Sequence, residues 1–257
     1  MALSSGANAR QGVWRTITRP ILPCSGITLT YNRYVTVAPS RAPVRSQPGV
    51  RAILDALGPL PAPTSAPVLV LLVGLPGAGK STLARRLAPA IGAVVLESNE
   101  LRRRFFAYPT HKPDESARLF GAINATVTQL LKDGVSVVLD ATNLKKSDRR
   151  PAINVARTTG SRLAIVHVDA SSDVLEQRLR DRTRGLAHDS SDAGLNVLRR
   201  MRSTAELPET DDWWHVNTGD TSAYAASVDR IIVALTTLAP AGLHRPGPNG
   251  GTMGGRP

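Results

Sequence analysis

Residues 68–87 read VLVLLVGLPGAGKSTLARRL, and the fold turns on this stretch. Val68 to Val73 is an unbroken apolar run of Val and Leu. A run without alternation fits a strand buried on both faces, as at the centre of a parallel sheet. Next comes Gly74-Leu75-Pro76-Gly77-Ala78-Gly79-Lys80-Ser81, which meets G-x-x-x-x-G-K-[ST] at every fixed position. The glycines allow successive N–H groups to point into one concavity that suits an anion. A helix opening near Lys80 adds the positive end of its dipole. Gly74, Pro76, Gly77, Ala78, Gly79, Lys80, Ser81 and Thr82 are therefore the expected nucleotide-binding residues. In this motif Lys80 reaches the β- and γ-phosphates and the Ser81 hydroxyl ligates Mg²⁺. A plain glycine-rich turn does not require strand, loop and helix in this order. A dinucleotide-binding turn fits less well, because Thr82 stands where its third glycine belongs.

The chain has 257 residues and is 42% hydrophobic, enough for one α/β domain with extensions. No apolar run approaches the roughly 20 residues that a membrane span needs. Cys24 is the single cysteine, which excludes an internal disulfide and suits a reducing compartment, so the cytoplasm is the expected location. The net charge of +12 invites a nucleic-acid reading, but the excess sits in the ends. Residues 1–54 carry seven arginines and residues 241–257 two, with no acid in either segment. Residues 55–240 are left with 23 basic and 20 acidic side chains. Nucleic-acid binding through the basic ends is therefore open but not favoured, and scarce aromatics argue the same way.

Three regions follow. Residues 1–66 are expected to be a disordered basic leader, since Ser, Thr, Arg and Pro without periodicity bury little. Within it, GITLTYNRYVTV has the pattern of a short strand. The leader's composition is also that of a transit peptide, but no amphipathic Arg-bearing helix is evident, so a loose basic tail is the expectation. Residues 67–240 are expected to form the folded domain, and 241–257 a Gly/Pro-rich tail. In the domain, strands are predicted at 68–73, 93–96, 135–139, 163–168 and 215–218. Helices are predicted near 80–91, 99–107, 114–133, 148–159, 172–183, 191–204 and 222–238. In 114–133 the predicted buried stripe is Ala117, Phe120, Ile123, Val127, Leu130 and Leu131, with Gly134 closing the helix. This alternation implies a five-stranded parallel sheet with helices on both faces. Ligands bind such sheets at the carboxyl ends of the strands, so functional residues should follow them.

Asp140 ends the third strand, in Asp140-Ala141-Thr142-Asn143. In a chain with a phosphate loop it is a candidate Mg²⁺ or substrate contact. The alternative, capping the next helix, is open to Ser147 or Asp148 instead. After the second strand, ESNELRRRFF puts Glu97, Asn99, Glu100 and Arg102 near the phosphate end. A phosphoryl acceptor needs a carboxylate to orient its hydroxyl, and arginine suits an anionic substrate. Arg103 and Arg104 read as a solvated helix face. Arg178 and Arg182 lie four apart on one helical face, placed either to neutralise transferred phosphate or to pair with Glu176 or Asp181. The polar segment GLAHDSSDAG, 185–194, suits a lid. Trp213 and Trp214 read as packing residues, and the Thr218-Gly219-Asp220 turn as a neighbour of the nucleotide base. His111, His167 and His188 have no metal-ligand spacing.

Together, GLPGAGKST, VVLESNELRRRFF, VVLDATNL, LEQRLRDR and WHVNTGD resemble the kinase-like P-loop ATPases often labelled AAA-family, over about residues 68–235. That group includes polynucleotide 5′-kinase domains, gluconokinases, chloramphenicol phosphotransferase and zeta toxins. The resemblance implies a nucleoside-monophosphate-kinase-like P-loop NTPase fold with a lid, MgATP as donor, and a small-molecule or 5′-hydroxyl nucleic-acid acceptor. It puts the phosphates and metal on Lys80 and Ser81 and Arg102 in the acceptor pocket. Asp140, Thr142 and Asn143 would lie between acceptor and γ-phosphate, with Arg178 and Arg182 as lid arginines. One feature departs from the pattern. Many relatives carry Ser-Asp-x-x-Arg after the second strand, with that Asp as presumed base, whereas this chain reads Ser98-Asn99-Glu100-Leu101-Arg102. An amide hydrogen-bonds a hydroxyl but takes no proton near neutral pH. Glu97, Glu100 or Asp140 is then the substitute base, or base catalysis is weak, or the protein is an ATPase or ATP-driven switch without an acceptor.

Overall fold

The computed structural model describes residues 49–183, 194–206 and 213–237. All belong to the second of two compact units, Val37–Pro257. The candidate strand at 26–37, the lid segment through 193 and the tail from 241 lie outside the described residues.

β1 (Val68–Val73) is buried at every position, as its unbroken apolar pattern requires. Its side chains alternate between two cores: Val68, Val70 and Leu72 enter one, Leu69 and Leu71 the other. It lies at the centre of a five-stranded sheet in the order β2-β3-β1-β4-β5, with β2 (Ala93–Glu97), β3 (Ser136–Asp140), β4 (Arg162–Asp169) and β5 (Trp213–Asn217). All pairings are parallel. The core on one face takes side chains from α2 (Lys80–Ala90), α6 (Ser172–Thr183), α7 (Leu195–Ser203) and α8 (Thr221–Thr237). The other takes them from α1 (Val50–Leu57), α3 (Ser98–Phe105), α4 (Pro113–Lys132) and α5 (Lys146–Thr159).

The expected α/β class, strand order along the chain and helices are present, with three differences. First, the leader is not structureless to residue 66. α1 buries Ile53 completely against the core that α4 fills, and the Thr64 N–H donates to Gly134 O at 2.8 Å. One apolar face on an eight-residue helix is enough to join the domain, so the folded part begins by residue 50. Second, the buried stripe of α4 is turned at its N-terminal end. Leu119 is fully buried and Ala117 exposed, and Glu115 is buried too. Third, β5 begins at Trp213, because both tryptophans join the strand. Gly134 follows α4 as predicted, and Val135 N–H reaches back to Leu130 O at 2.8 Å.

Candidate active site

The parallel sheet brings the ends of β1, β2 and β3 together, and the predicted loop stands between β1 and α2. Gly74 lies so close to β4 that a Cβ there would sit 2.3 Å from Val168 O. Its N–H donates to Thr142 O at 3.0 Å, which ties the loop to the segment after β3. Gly77 and Gly79 hold φ of 85° and 90°, a region that side chains resist. α2 starts with no side-chain hydrogen bond at its cap, and its N-terminus carries the positive end of the helix dipole. Lys80 is buried, and its Nζ donates to Gly74 O and Leu75 O, both at 2.9 Å. Ser81 is half-buried and Thr82 exposed in the same turn.

Glu97 and Asp140 stand in register at the ends of β2 and β3. Asp140 is 3% exposed, and both side chains carry a fully buried carboxylate oxygen. Asp140 does not cap α5; Asp148 does, accepting from the Lys145 N–H at 3.2 Å. Asn99 is half-buried at the second position of α3, and Glu100 is exposed. Arg103 and Arg104 are exposed, as a solvated face should be.

Four predicted residues have other duties. Arg102 does not face an open pocket. It is buried and ion-paired with Glu115, and it donates to Ser116 Oγ at 3.2 Å. Asn143 adopts φ 47° and donates its amide to Leu72 O at 2.8 Å, which clips the β3 loop to β1. Thr142, half-buried, contributes its carbonyl to Gly74. Arg178 is not free to move with a lid. It donates to Gly77 O at 3.1 Å, Thr218 Oγ1 at 2.8 Å and Thr218 O at 2.9 Å. Thr218 Oγ1 donates to Ala78 O at 2.8 Å. Of the two acids considered as its partners, Glu176 pairs with Arg180 instead. Burial, and then the charge of Arg182 one turn on, both disfavour the Arg178 cation. Trp214 packs on the core as expected, while Trp213 lies against His167, ring centroids 5.0 Å apart.

Arg178 and Thr218 thus form a latch on the loop. They hold the Gly77 and Ala78 carbonyls, which fixes the loop's backbone from the side of β5. Thr218→Val removes the hydroxyl from this network and keeps its shape. We expect ATP affinity to fall several-fold, the scale of one or two lost hydrogen bonds, with melting temperature little changed. Calorimetric titration with ATP checks this. Arg149 was missed by sequence reading. It is buried, and its Nη1 gathers Asn143 O and Leu144 O, each at 3.0 Å, and Glu206 O at 2.9 Å. Its acceptors are carbonyls scattered along the chain, which leave no motif.

These residues fit a polyphosphate. The loop offers backbone donors, one lysine and a helix terminus, and a Cβ at Gly77 or Gly79 would crowd Leu175 O or Thr218. Among the described residues no group of three or more His, Cys, Asp or Glu is arranged to hold a metal by itself. Ser81 and Asp140 offer hard oxygen donors, the set with which Mg²⁺ binds when phosphate supplies the remainder.

Strand order, loop and paired carboxylates define a kinase-like P-loop NTPase. The family described as AAA domain matches residues 69–208, and the chain belongs to it. An L-seryl-tRNA(Sec) kinase of Methanococcus maripaludis is 24% identical over 57% of this chain and 56% of its own length. An adenylyl-sulfate kinase of Myxococcus xanthus is 32% identical over 44% of this chain and 64% of its own. The chain thus spans less than two thirds of either relative. A solved Chloroflexus aurantiacus protein superposes with a TM-score of 0.52 at 23% identity, over 65% of this chain and 97% of its own. That likeness concerns the fold. Among the described residues no helix is long and apolar enough to cross a membrane.

Proposed function

We propose that this protein is a cytoplasmic phosphotransferase that moves the γ-phosphate of MgATP to a hydroxyl of a small molecule. The observation that carries the reading is the in-register pair Glu97 and Asp140 beside the phosphate loop. A hydrolase needs only a positioned water, whereas a second carboxylate at the loop mouth suits an acceptor hydroxyl. The related kinases support the choice of reaction. Lys80 and the α2 terminus hold the phosphates, and Ser81 and Asp140 hold the metal. Arg182 lies one turn from Arg178, and a bound polyphosphate relieves their mutual repulsion. The acceptor oxygen attacks the γ-phosphorus as the bond to the β-phosphate oxygen breaks. The hydroxyl proton passes to Glu97 or Asp140, and ADP leaves. Phosphoryl transfer tolerates the absence of an aspartate at 99, because its loose transition state depends mainly on positioning and charge.

The second reading, an ATPase or ATP-driven switch without an acceptor, is favoured by Asn99. The two readings differ over Asn99→Asp. A base restored at a phosphotransferase site raises transfer by up to about 10²-fold, the lower end for base catalysis. The readout is the ratio of transferred to released phosphate. An unchanged ratio favours the switch.

A further inference from the structure

Asp140 ends β3, and the loop that follows it, Ala141-Thr142-Asn143-Leu144, is buried at every residue except Thr142, which is half-buried. A buried loop must find partners for its carbonyls, because it has left the sheet that would supply them. The Thr142 carbonyl takes the Gly74 N–H of the phosphate loop at 3.0 Å. The next two carbonyls take Arg149, whose Nη1 donates to Asn143 O and Leu144 O, each at 3.0 Å. The same Nη1 donates to Glu206 O, just beyond α7, at 2.9 Å. Glu206 closes the junction from its own side. Its N–H donates to Leu144 O at 2.9 Å, and its Oε2 accepts from the Lys146 N–H at 2.6 Å. A continuous set of hydrogen bonds thus runs from Glu206 and Arg149 through the loop after β3 to Gly74. Arg149 is 4% exposed. Burying a guanidinium is costly, and an apolar side chain of similar volume commonly serves stability as well. These acceptors lie on two segments that meet at the site. One is the loop that follows Asp140. The other is the end of α7, where Glu206 lines a cavity of about 400 Å³ together with Leu75 of the phosphate loop.

We infer that Arg149 is a positioning residue of the active site: it braces the loop after β3 against Glu206, and so sets Asp140 and, through Thr142, the first glycine of the phosphate loop. This role rests on the phosphotransferase reading, which gives Asp140 its part in the chemistry. Arginine suits the task because its charge is permanent and its donors are fixed in one plane, whereas the lysine ammonium is a compact point charge on a flexible stem. Without the brace, Asp140 and Gly74 shift against each other. A misplacement on the order of 1 Å costs up to about 10²-fold in rate. Nucleotide affinity is spread over many loop contacts and is less sensitive to such a shift.

The test compares the full unaltered chain with three variants. Arg149→Met keeps the apolar stem and removes the donors, Arg149→Lys keeps the charge, and Glu206→Ala loosens the junction at an exposed residue. Three quantities are read: steady-state ATP turnover, calorimetric affinity for a non-hydrolysable ATP analogue, and amide hydrogen exchange. In Arg149→Met, turnover should fall about 10- to 100-fold, while analogue affinity changes little. The Gly74 and Glu206 amides should exchange faster, while those of Leu69 to Leu72 in β1 keep their rates. Arg149→Lys should recover part of the turnover. Glu206→Ala should lose turnover several-fold with the same exchange pattern. Unaltered turnover in Arg149→Met would overturn the inference, as would a loss that only follows the melting temperature and comes with faster exchange throughout β1. Should Arg149→Met fail to fold, Glu206→Ala decides alone, and an unaltered turnover and Gly74 amide in that chain overturn it. The exchange measurement needs no acceptor. Absence of phosphate transfer by the unaltered chain therefore counts against the phosphotransferase reading, and the brace is still tested.

Discussion

Lys80→Ala is expected to leave the chain folded and to lower phosphate turnover on the order of 10²–10³-fold, the usual effect of removing one preorganised charge contact. The fold should survive because Lys80 Nζ donates to the loop's own carbonyls, Gly74 O and Leu75 O. The loop keeps its attachment to Thr142 through the Gly74 N–H. The loss should appear mainly in turnover. Backbone N–H groups and the α2 terminus continue to bind the ground-state phosphates, while charge building in the transition state loses its closest cation. Lys80→Met keeps the apolar stem and should behave alike, which separates charge from packing. Steady-state ATP turnover with thermal melting is the check. A folded Lys80→Ala chain with unaltered turnover would remove the loop from the chemistry.

Breaking the Arg102–Glu115 pair should have the largest effect on stability. Both groups are buried, and Glu115 also accepts from the Thr110 N–H at 2.7 Å, the Thr110 hydroxyl at 2.8 Å and the His111 N–H at 3.2 Å. Burial pushes this carboxyl up, but Thr110, Arg102 and His111 outweigh it and bring it down to about 2 from an ordinary 4.5. Removing either partner leaves a buried charge uncompensated, which costs about 3–5 kcal/mol. Glu115→Ala and Arg102→Ala should each lose that much in denaturant unfolding, and the double variant less than their sum. The sign of the pH effect follows from the lowered value. The contribution is complete above pH 4.5 and is lost as pH falls toward 2. Glu115→Ala should therefore flatten the acid limb of the stability profile. An additive double variant, or an acid limb unaltered by Glu115→Ala, would show that the pair does not hold α3 to α4.

What could be read from the sequence was what repeats or has fixed spacing. The β1 run, the loop after it and the alternation of elements carry their own signals, and they define the fold. The residues misread are those whose partners are distant. The predicted α4 stripe runs through Ala117, whereas Glu115 is the residue buried there, and its partner Arg102 lies one helix away. The family resemblance puts Asn143 between acceptor and γ-phosphate. Its left-handed backbone, which asparagine tolerates, instead directs its amide to Leu72 O. Arg178 was placed correctly on its helix, but Thr218, the partner that turns it into a latch, stands 40 residues further on. α1 escaped notice because eight residues carry too short a pattern, although Ile53 is wholly buried.

The most direct test of the phosphotransferase reading is the fate of a labelled γ-phosphate. The full chain is incubated with Mg²⁺ and γ-labelled ATP in the presence of amino sugars, amino alcohols, neutral sugars, nucleosides and 5′-hydroxyl oligonucleotides. The account predicts label in a phosphorylated small hydroxyl compound, with transfer exceeding release as inorganic phosphate, and both lost in Lys80→Ala. Label found solely as inorganic phosphate across every acceptor, with an Asn99→Asp chain no different, would contradict it.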